Sequence, residues 1–462
     1  MTQENRLFGT NGIRGVVNKD LTPEFVAKIG CAIGTFYKNA HGRSNIIVGY
    51  DGRTSSTMFA QAIMSGLTAT GCNAYDVGLA PTPAIQFAVK HHKMDGGVIV
   101  TASHNPPEYN GIKVTAGDGV EIPREDEMKI EGFYSQGKFA LKEFGGIGRV
   151  YALAGILDEY IEAIKTHVDV AAIKRKHFHV IADPGNGAGG VVAPYLLRDL
   201  GCRTTTLNAN VDGTFPNRPS EPRPENLVDL ATAVKSLEAD FGVAYDGDAD
   251  RAIFVDEKGE VHPGDHTFAL VEKYFLKEHK GETIVTPVSS SFAVKEIADG
   301  YGTKVVWTRV GSTTVSMMMK KLKTKLGGEE NGGVFYGPHQ PVRDGAMTTA
   351  LVLNIMAKTG KKLSRLLEEL PQFFIEKDKI ECPNSLKEPV FKAFAESVKN
   401  LNRDTTDGVK LWFEDKSSIL VRPSGTEPIY RFYAEAKTSQ RAAQLIKKYK
   451  TQLDLLIKKM KA

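Results

Sequence analysis

Residues 101 to 107 read Thr101-Ala102-Ser103-His104-Asn105-Pro106-Pro107, directly after the apolar run Gly96-Gly97-Val98-Ile99-Val100. Such a run reads as a buried strand, which puts Ser103 just past a strand end. Asn-Pro-Pro forbids helix continuation, so the hydroxyl and its histidine neighbour are expected on a stiff exposed loop. A serine held in that way suits covalent modification. A plain turn, with Ser103 and Asn105 satisfying nearby backbone groups, would use the same residues. Three further polar segments weigh against that plainer reading.

Asp246-Gly247-Asp248-Ala249-Asp250-Arg251 alternates carboxylates with small residues. Three anions gathered this way require a hard cation such as Mg²⁺. Glu257 stands twelfth counted from Asp246, as a calcium EF-hand would need, but Arg251 takes the sixth position where that loop requires Gly, and the flanks read as strands. A solvated acidic turn is the other plain alternative. Arg251, beside the acids, is suited to a phosphate that the metal also touches.

In Arg422-Pro423-Ser424-Gly425-Thr426-Glu427-Pro428-Ile429-Tyr430-Arg431, Ser424, Gly425 and Thr426 offer short donors and close backbone approach, and Arg422 and Arg431 offer forked cationic donors. That set suits a phosphate, though a surface turn between strands would also contain it. Glu329 and Asn331, between glycine pairs in Gly327 to Gly333, offer an acceptor and an amide to sugar hydroxyls. Arg14, in Gly9-Thr10-Asn11-Gly12-Ile13-Arg14-Gly15, is placed either for a phosphate or for a surface ion pair. This segment is no Walker loop, because no Gly-Lys-Ser/Thr follows.

The elements that must position these loops repeat. An apolar strand, a turn of small residues, a helix, Gly or Gly-Cys, a second strand and helix, and a third strand occur three times, which is βαβαβ punctuation. The first copy runs from Ile46-Ile47-Val48 to Ser103. The second runs from His179-Val180-Ile181 through a helix expected at Val191 to Leu200 and ends in the Asp246 loop. The third runs from Thr283-Ile284-Val285 to Gly333. Ligands gather at strand ends in open α/β sheets, so three loops at one place in three similar units are expected to face a common cleft. After about residue 372 the texture changes. The expected fold is α/β: three similar mixed α/β domains (1–150, 151–256 and 257–371) and a smaller C-terminal α+β domain (372–462) around a central cleft. From Ser439 to the end, Ala442, Leu445, Ile446, Tyr449, Leu453, Leu456, Ile457 and Met460 recur at helical spacing with lysines between, as in an amphipathic helix.

Composition bounds the function classes. A chain of 462 residues exceeds a single core. Its 59 basic and 55 acidic residues nearly cancel, which gives no support to nucleic-acid or membrane binding. Cys31, Cys72, Cys202 and Cys382 are far apart with no CxxC, and the polar start is no signal peptide, so a cytoplasmic protein is expected.

With all four loops in view, the chain resembles the α-D-phosphohexomutases over essentially its whole length. Phe8-Gly9-Thr10, Gly-Glu-Glu-Asn-Gly-Gly and Arg343-Asp344-Gly345-Ala346-Met347 look most like the archaeal phosphoglucomutase/phosphomannomutase branch, close to phosphoglucosamine mutase. The resemblance implies that Ser103 carries a phosphoryl group and that one Mg²⁺ per chain is held by Asp246, Asp248, Asp250 and the Ser103 phosphate. It implies that hexose 1- and 6-phosphates interconvert through a 1,6-bisphosphate, which also serves as activator. Lys113 occupies the place of the family's proposed general base, and without the resemblance it reads as a solvated lysine. His104 adjoins the nucleophile, and Arg14 and Arg251 complete the implied catalytic set. Glu329 and Asn331 resemble contacts to the sugar 3- and 4-hydroxyls. Arg422, Ser424, Gly425, Thr426 and Arg431 resemble the distal phosphate grip. Two departures touch substrate recognition: Asn331 and Gly333 stand where many bacterial members have Ser and His, and Ser312 stands where Asp often follows Val-Gly. The expected partner is a small phosphosugar of glucose, mannose or glucosamine. The competing readings are a metal-dependent phosphatase with an aspartate nucleophile and a non-catalytic phosphosugar sensor. Oligomeric state, preferred sugar and the identity of the acid/base stay open.

Overall fold

The computed structural model of the chain describes residues 6–9, 11–42, 44–424 and 427–461. They form four sheets, and the first three share one plan. In each, the unit's first strand lies in the centre with the second and third strands parallel to it on either side. These triplets are Asn45–Tyr50, Asn73–Leu79 and Gly96–Val100, then His179–Asp183, Arg203–Thr206 and Phe241–Tyr245, then Ile284–Pro287, Val305–Thr308 and Leu326–Gly328. The third strand then turns back into an antiparallel neighbour: Tyr109–Ala116, Ala252–Asp256 or Val334–Tyr336. The serine loop, the acidic loop and the Glu329 loop are these three turns. Each candidate loop therefore sits at the carboxyl end of an equivalent buried strand, where parallel sheets collect ligands.

Local signals set the elements. Thr22 caps the helix Pro23–His41 by accepting from Phe25 N, with proline at the helix start. Asp344 caps Gly345–Thr359 through Met347 N, and Gly360 ends that helix in the left-handed region. The helix expected at Val191 to Leu200 is instead a 3₁₀ turn, Ala188–Val191, followed by the helix Ala193–Asp199. Val192 departs from helical geometry between them, at φ −127° and ψ −52°, and Pro194 stands in the first turn of the second piece, where its missing N–H costs nothing. Two short strands extend these sheets: Val150–Ala152 adds a parallel strand to the first beside Asn73–Leu79, and Val261–His262 adds an antiparallel strand to the second.

The fourth sheet, ordered Phe374–Glu381, Ile429–Ala436, Ser418–Pro423, Val409–Trp412 and Arg403–Asp404, is wholly antiparallel. The helix Ser439–Lys461 covers it with Ala442, Leu445, Ile446, Tyr449, Leu453 and Ile457 buried. One apolar core runs through the first three units, from Ile47 and Ile99 through Phe241 and Phe254 to Phe268 and Leu353. The fourth has its own core, including Val421, Phe432 and Tyr449. Among the described residues no helix is long and apolar enough to cross a membrane.

Candidate active site

Ser103 follows the strand Gly96–Val100 at φ +53°, a conformation uncommon for a residue with a side chain. Its amide donates to Thr101 Oγ1 at 2.8 Å. Arg53 holds the rest of the loop. Its Nη2 donates to Ser103 O at 2.8 Å and Asn105 O at 2.6 Å, and its Nη1 to Pro106 O at 2.6 Å and Tyr109 O at 2.9 Å. Asp51 pairs with Arg53 Nε at 3.1 Å and accepts from the Ser56 and Thr101 hydroxyls, each at 2.7 Å. The exposed loop expected from Asn-Pro-Pro is confined to residues 106–108, and Ser103 itself is fully buried. The reason is that Arg53 ties the loop down and the acidic loop closes over it. Asp51 and Arg53 are a site pair that the sequence reading passed over. Their signal was the turn Asp51-Gly52-Arg53 directly after a buried strand.

The acidic loop packs against this serine. Ser103 Oγ donates to Asp246 Oδ2 at 2.9 Å. Asp246, Asp248 and Asp250 are all buried, and one oxygen from each lies within 4.8 Å of the others. Asp248 Oδ2 accepts from Thr82 Oγ1 at 2.6 Å and from Lys113 Nζ at 3.0 Å, and Asp250 Oδ2 accepts from Arg343 Nη2 at 2.5 Å. Asp248 Oδ1 and Asp250 Oδ1 are buried with no hydrogen-bond partner. Burial first, and then Asp250 and Asp248, push the Asp246 carboxyl up to about 8. Burial also acts to raise Asp248, but Lys113 and the Thr82 hydroxyl outweigh it and hold that carboxyl below its usual range. Orphaned carboxylate oxygens and a carboxyl forced toward its neutral form are what a hard divalent cation at this place would relieve, so the donor set fits one.

Cationic donors stand around the same hydroxyl. Arg14 Nη1 donates to Asn105 Oδ1 at 2.6 Å, while its Nε and Nη2 are buried without acceptors. Arg251 Nη2 lies 2.7 Å from His104 Nδ1. A guanidinium has only donors, so Nδ1 is the acceptor and the imidazole proton belongs on Nε2. Burial, with Arg251 and Arg14, drives His104 down to about 2, so the ring is neutral. Its Nδ1 is 3.4 Å from Ser103 Oγ, farther than Asp246. His104 Nδ1 thus faces Arg251 closely and the serine hydroxyl at longer range. Lys113 is 1 % exposed and not solvated. Burial acts to lower it, but Asp248, Asp250 and Glu121 more than reverse that, and it is raised. As positioned, Lys113 is an ammonium that balances the acids.

Glu329 is buried and accepts from Arg343 Nη1 at 3.2 Å, so Arg343 bridges the Glu329 loop to Asp250. Burial opposes its charge, but Asp250 and Glu329 raise it, making it a permanent cation. Arg343 is a third residue the reading of single loops missed, although its stretch stood out in the sequence. Half-buried Asn331 accepts from Gly333 N at 3.2 Å.

In the fourth domain, Arg422 and Arg431 are direct cross-strand partners. Like charges so placed repel; here Asp407 accepts from Arg422 Nε at 2.8 Å and Glu427 pairs with Arg431. Ser424 is buried, and Lys387 Nζ donates to its carbonyl at 2.6 Å. Gly425 and Thr426 lie outside the described residues. Asp407 Oδ2 also accepts from Val310 N at 3.0 Å, and Ser312 Oγ donates to Asn11 Oδ1 at 2.9 Å. The Val310-Gly311-Ser312 loop thus touches both Asp407, the partner of Arg422, and the first domain. The structure gathers Ser103, His104, Lys113, Arg14, Arg251 and the three aspartates into one cluster and joins Glu329 to it through Arg343. Arg422 and Arg431 belong to the separate fourth sheet.

Comparison with known proteins agrees with this layout. Families described as phosphoglucomutase/phosphomannomutase alpha/beta/alpha domains I, II and III match residues 5–141, 158–259 and 263–374, and the C-terminal domain of that family matches 379–450. A phosphoglucomutase/phosphomannomutase of Thermococcus kodakarensis is 46% identical over 96% of this chain and 97% of its own length. A phosphoglucosamine/phosphogalactosamine mutase of Sulfurisphaera tokodaii is 43% identical over 96% and 98%. A crystal structure of a phosphoglucomutase/phosphomannomutase family protein from Burkholderia thailandensis superposes with a TM-score of 0.89 at 27% identity, covering 98% of each chain. With its four domains matched in order and relatives of this identity along almost its whole length, the chain belongs to the phosphoglucomutase/phosphomannomutase family of isomerases.

Proposed function

We propose that this chain interconverts the 1- and 6-phosphates of glucose and mannose through a phosphorylated Ser103 and a hexose 1,6-bisphosphate. The observation that carries the reading is the Ser103 hydroxyl, bonded at 2.9 Å to one of three buried aspartates beside Arg14 nitrogens that lack acceptors. Asp246, Asp248 and Asp250 would hold one Mg²⁺, which when bound neutralises charge on the transferring phosphoryl group.

In the first half-reaction a free hydroxyl of the sugar phosphate attacks phospho-Ser103. The new O–P bond forms as the Oγ–P bond breaks, and the hydroxyl proton ends on Ser103 Oγ, where Asp246 Oδ2 accepts it in a hydrogen bond. Arg14, and Arg251 as oriented by His104, steady the anionic group, and Lys113 balances the carboxylates. The bisphosphate then turns over and returns its other phosphate to Ser103. A trace of added bisphosphate recharges the serine and acts as activator. Glu329 and Asn331 would bind the 3- and 4-hydroxyls, which gluco and manno sugars share. Arg422, Ser424, Gly425, Thr426 and Arg431 would grip the phosphate that is not reacting. In this reading residues 1–150 carry the phosphoserine, 151–256 the metal, 257–371 the sugar contacts and 372–462 the distal phosphate grip.

Asn331 and Gly333 in the sugar loop, with the amino-sugar name of the Sulfurisphaera relative, favour a second reading in which glucosamine phosphate is the preferred substrate. Comparing kcat/KM on the 1-phosphates of glucose, mannose, glucosamine and N-acetylglucosamine decides between them. Glucose and mannose within about tenfold of each other, and ahead of both amino sugars, is the expected result. Glucosamine ahead of both transfers the proposal to the second reading, and turnover by Asp248→Ala with any sugar contradicts the metal's place in either.

A further inference from the structure

Away from the acidic triplet, a second group of metal-ligating side chains meets where the first and second domains join. The helix Thr82–His91 ends in His91 with His92 as its cap, and the helix Ile156–Lys165 brings Glu159 to both. Glu159 Oε2 is 2.7 Å from His92 Nε2 and 3.9 Å from His91 Nε2, and one donor atom of each residue lies within 4.8 Å of the others. The donors of a tetrahedral zinc ion stand about 3.3 Å apart, a spacing these partly exposed side chains reach by small rotations.

The group is also pre-positioned. His91 stacks on Phe87 at 5.0 Å, Phe87 stacks on His339 at 5.5 Å, and His92 stands edge-on to His91 at 5.1 Å. Tyr160, next to Glu159, donates to Asp344 Oδ1 at 2.6 Å and fixes the helix that carries the carboxylate. A His92–Glu159 ion pair explains the shortest contact but leaves His91, stacked and turned toward the same oxygen, without a purpose. A similar trio, Asp256, Glu260 and His262, is already satisfied: Asp256 Oδ1 accepts two backbone N–H groups and Oδ2 pairs with His262 Nε2. Two imidazoles and one carboxylate select a borderline transition metal rather than Mg²⁺, which prefers oxygen donors alone.

We propose that His91, His92 and Glu159 bind one Zn²⁺, with water completing its shell, and that the ion staples the first domain to the second. The proton shared by His92 and Glu159 leaves to solvent as the metal takes its place. The same helix begins at Thr82, which holds Asp248, so the staple fixes the far end of an element that supports the acidic site.

The test is calorimetric titration of the full-length protein with zinc chloride in excess Mg²⁺, paired with thermal unfolding. Wild type should bind one equivalent and unfold at a higher temperature with zinc. His92→Ala and Glu159→Gln should each weaken binding by at least about tenfold and lose the thermal shift, while Asp248→Asn should keep both. The proposal is overturned if wild type binds no zinc under excess Mg²⁺, if both histidine-site variants respond like wild type, or if Asp248→Asn abolishes the response.

Discussion

At Gly247 the acidic loop and the serine loop touch backbone to backbone, and a Cβ there would stand 2.5 Å from Ser103 O. The glycine is required by closeness, since only a bare backbone lets Asp246 reach the serine hydroxyl. Gly247→Ala should therefore push the two loops apart with no change of charge. A displacement of about 1 Å in a reacting geometry costs about 10²-fold in rate. The expected outcome is a kcat lower by that order with a nearly unchanged unfolding midpoint, read by steady-state kinetics beside calorimetry; an unchanged kcat would show that the approach of the loops does not matter to turnover. The aspartates were legible in the sequence because their alternation with small residues is local. Arg53, Thr82 and Arg343 were not, because their partners lie 50, 166 and 93 positions away. Arg53 works by donating to backbone carbonyls, which leave no trace in residue type. Lys113 shows the reverse failure, since nothing in its neighbours marks it as buried among acids.

At the scale of elements, the hairpin Ser418–Pro423 to Ile429–Ala436 sets Arg422 directly opposite Arg431. Two forked cations on one face cost stability unless an anion joins them, and the available carboxylates, Asp407 and Glu427, engage each arginine separately. Arg422→Ala or Arg431→Ala should remove a charge-assisted contact worth about 1.5–3 kcal/mol to a phosphate, raising KM for a hexose monophosphate by about tenfold or more. Initial-rate measurements on both variants check this, and an unaltered KM in both would remove the hairpin from substrate binding. The repeated strand plan was readable because apolar runs and small-residue turns recur in order. The 3₁₀ break at 188–191 and the added strands at 150–152 and 261–262 were not, since a strand of two or three residues is defined by its neighbour and carries little periodicity.

Over the whole molecule, three units share one apolar core while the fourth keeps its own, and polar and aromatic contacts join the two bodies. Lys410 lies buried at that joint, 4.7 Å from the Trp307 ring and 4.2 Å from the Trp412 ring, donating to Val288 O at 2.7 Å and Ser290 O at 3.1 Å. Burial lowers it from 10.5 to about 8, against the pull of Glu435, Glu330 and Asp404. The unfolded chain thus holds this proton more tightly than the fold does, so the stability contributed here rises as pH climbs from about 8 toward 10.5. Wild type should gain on Lys410→Met in unfolding midpoint over that interval, and parallel pH profiles of the two proteins would contradict the assignment.

The central claim, that Ser103 carries the transferred phosphoryl group, is tested most directly by peptide mass spectrometry of protein first charged with glucose 1,6-bisphosphate and then given glucose 1-phosphate. The account predicts a phosphate on Ser103 that persists through turnover, because each cycle hands the serine's phosphoryl group to the sugar and returns the sugar's other phosphate to Ser103. A serine that never bears phosphate while the enzyme turns over would contradict it.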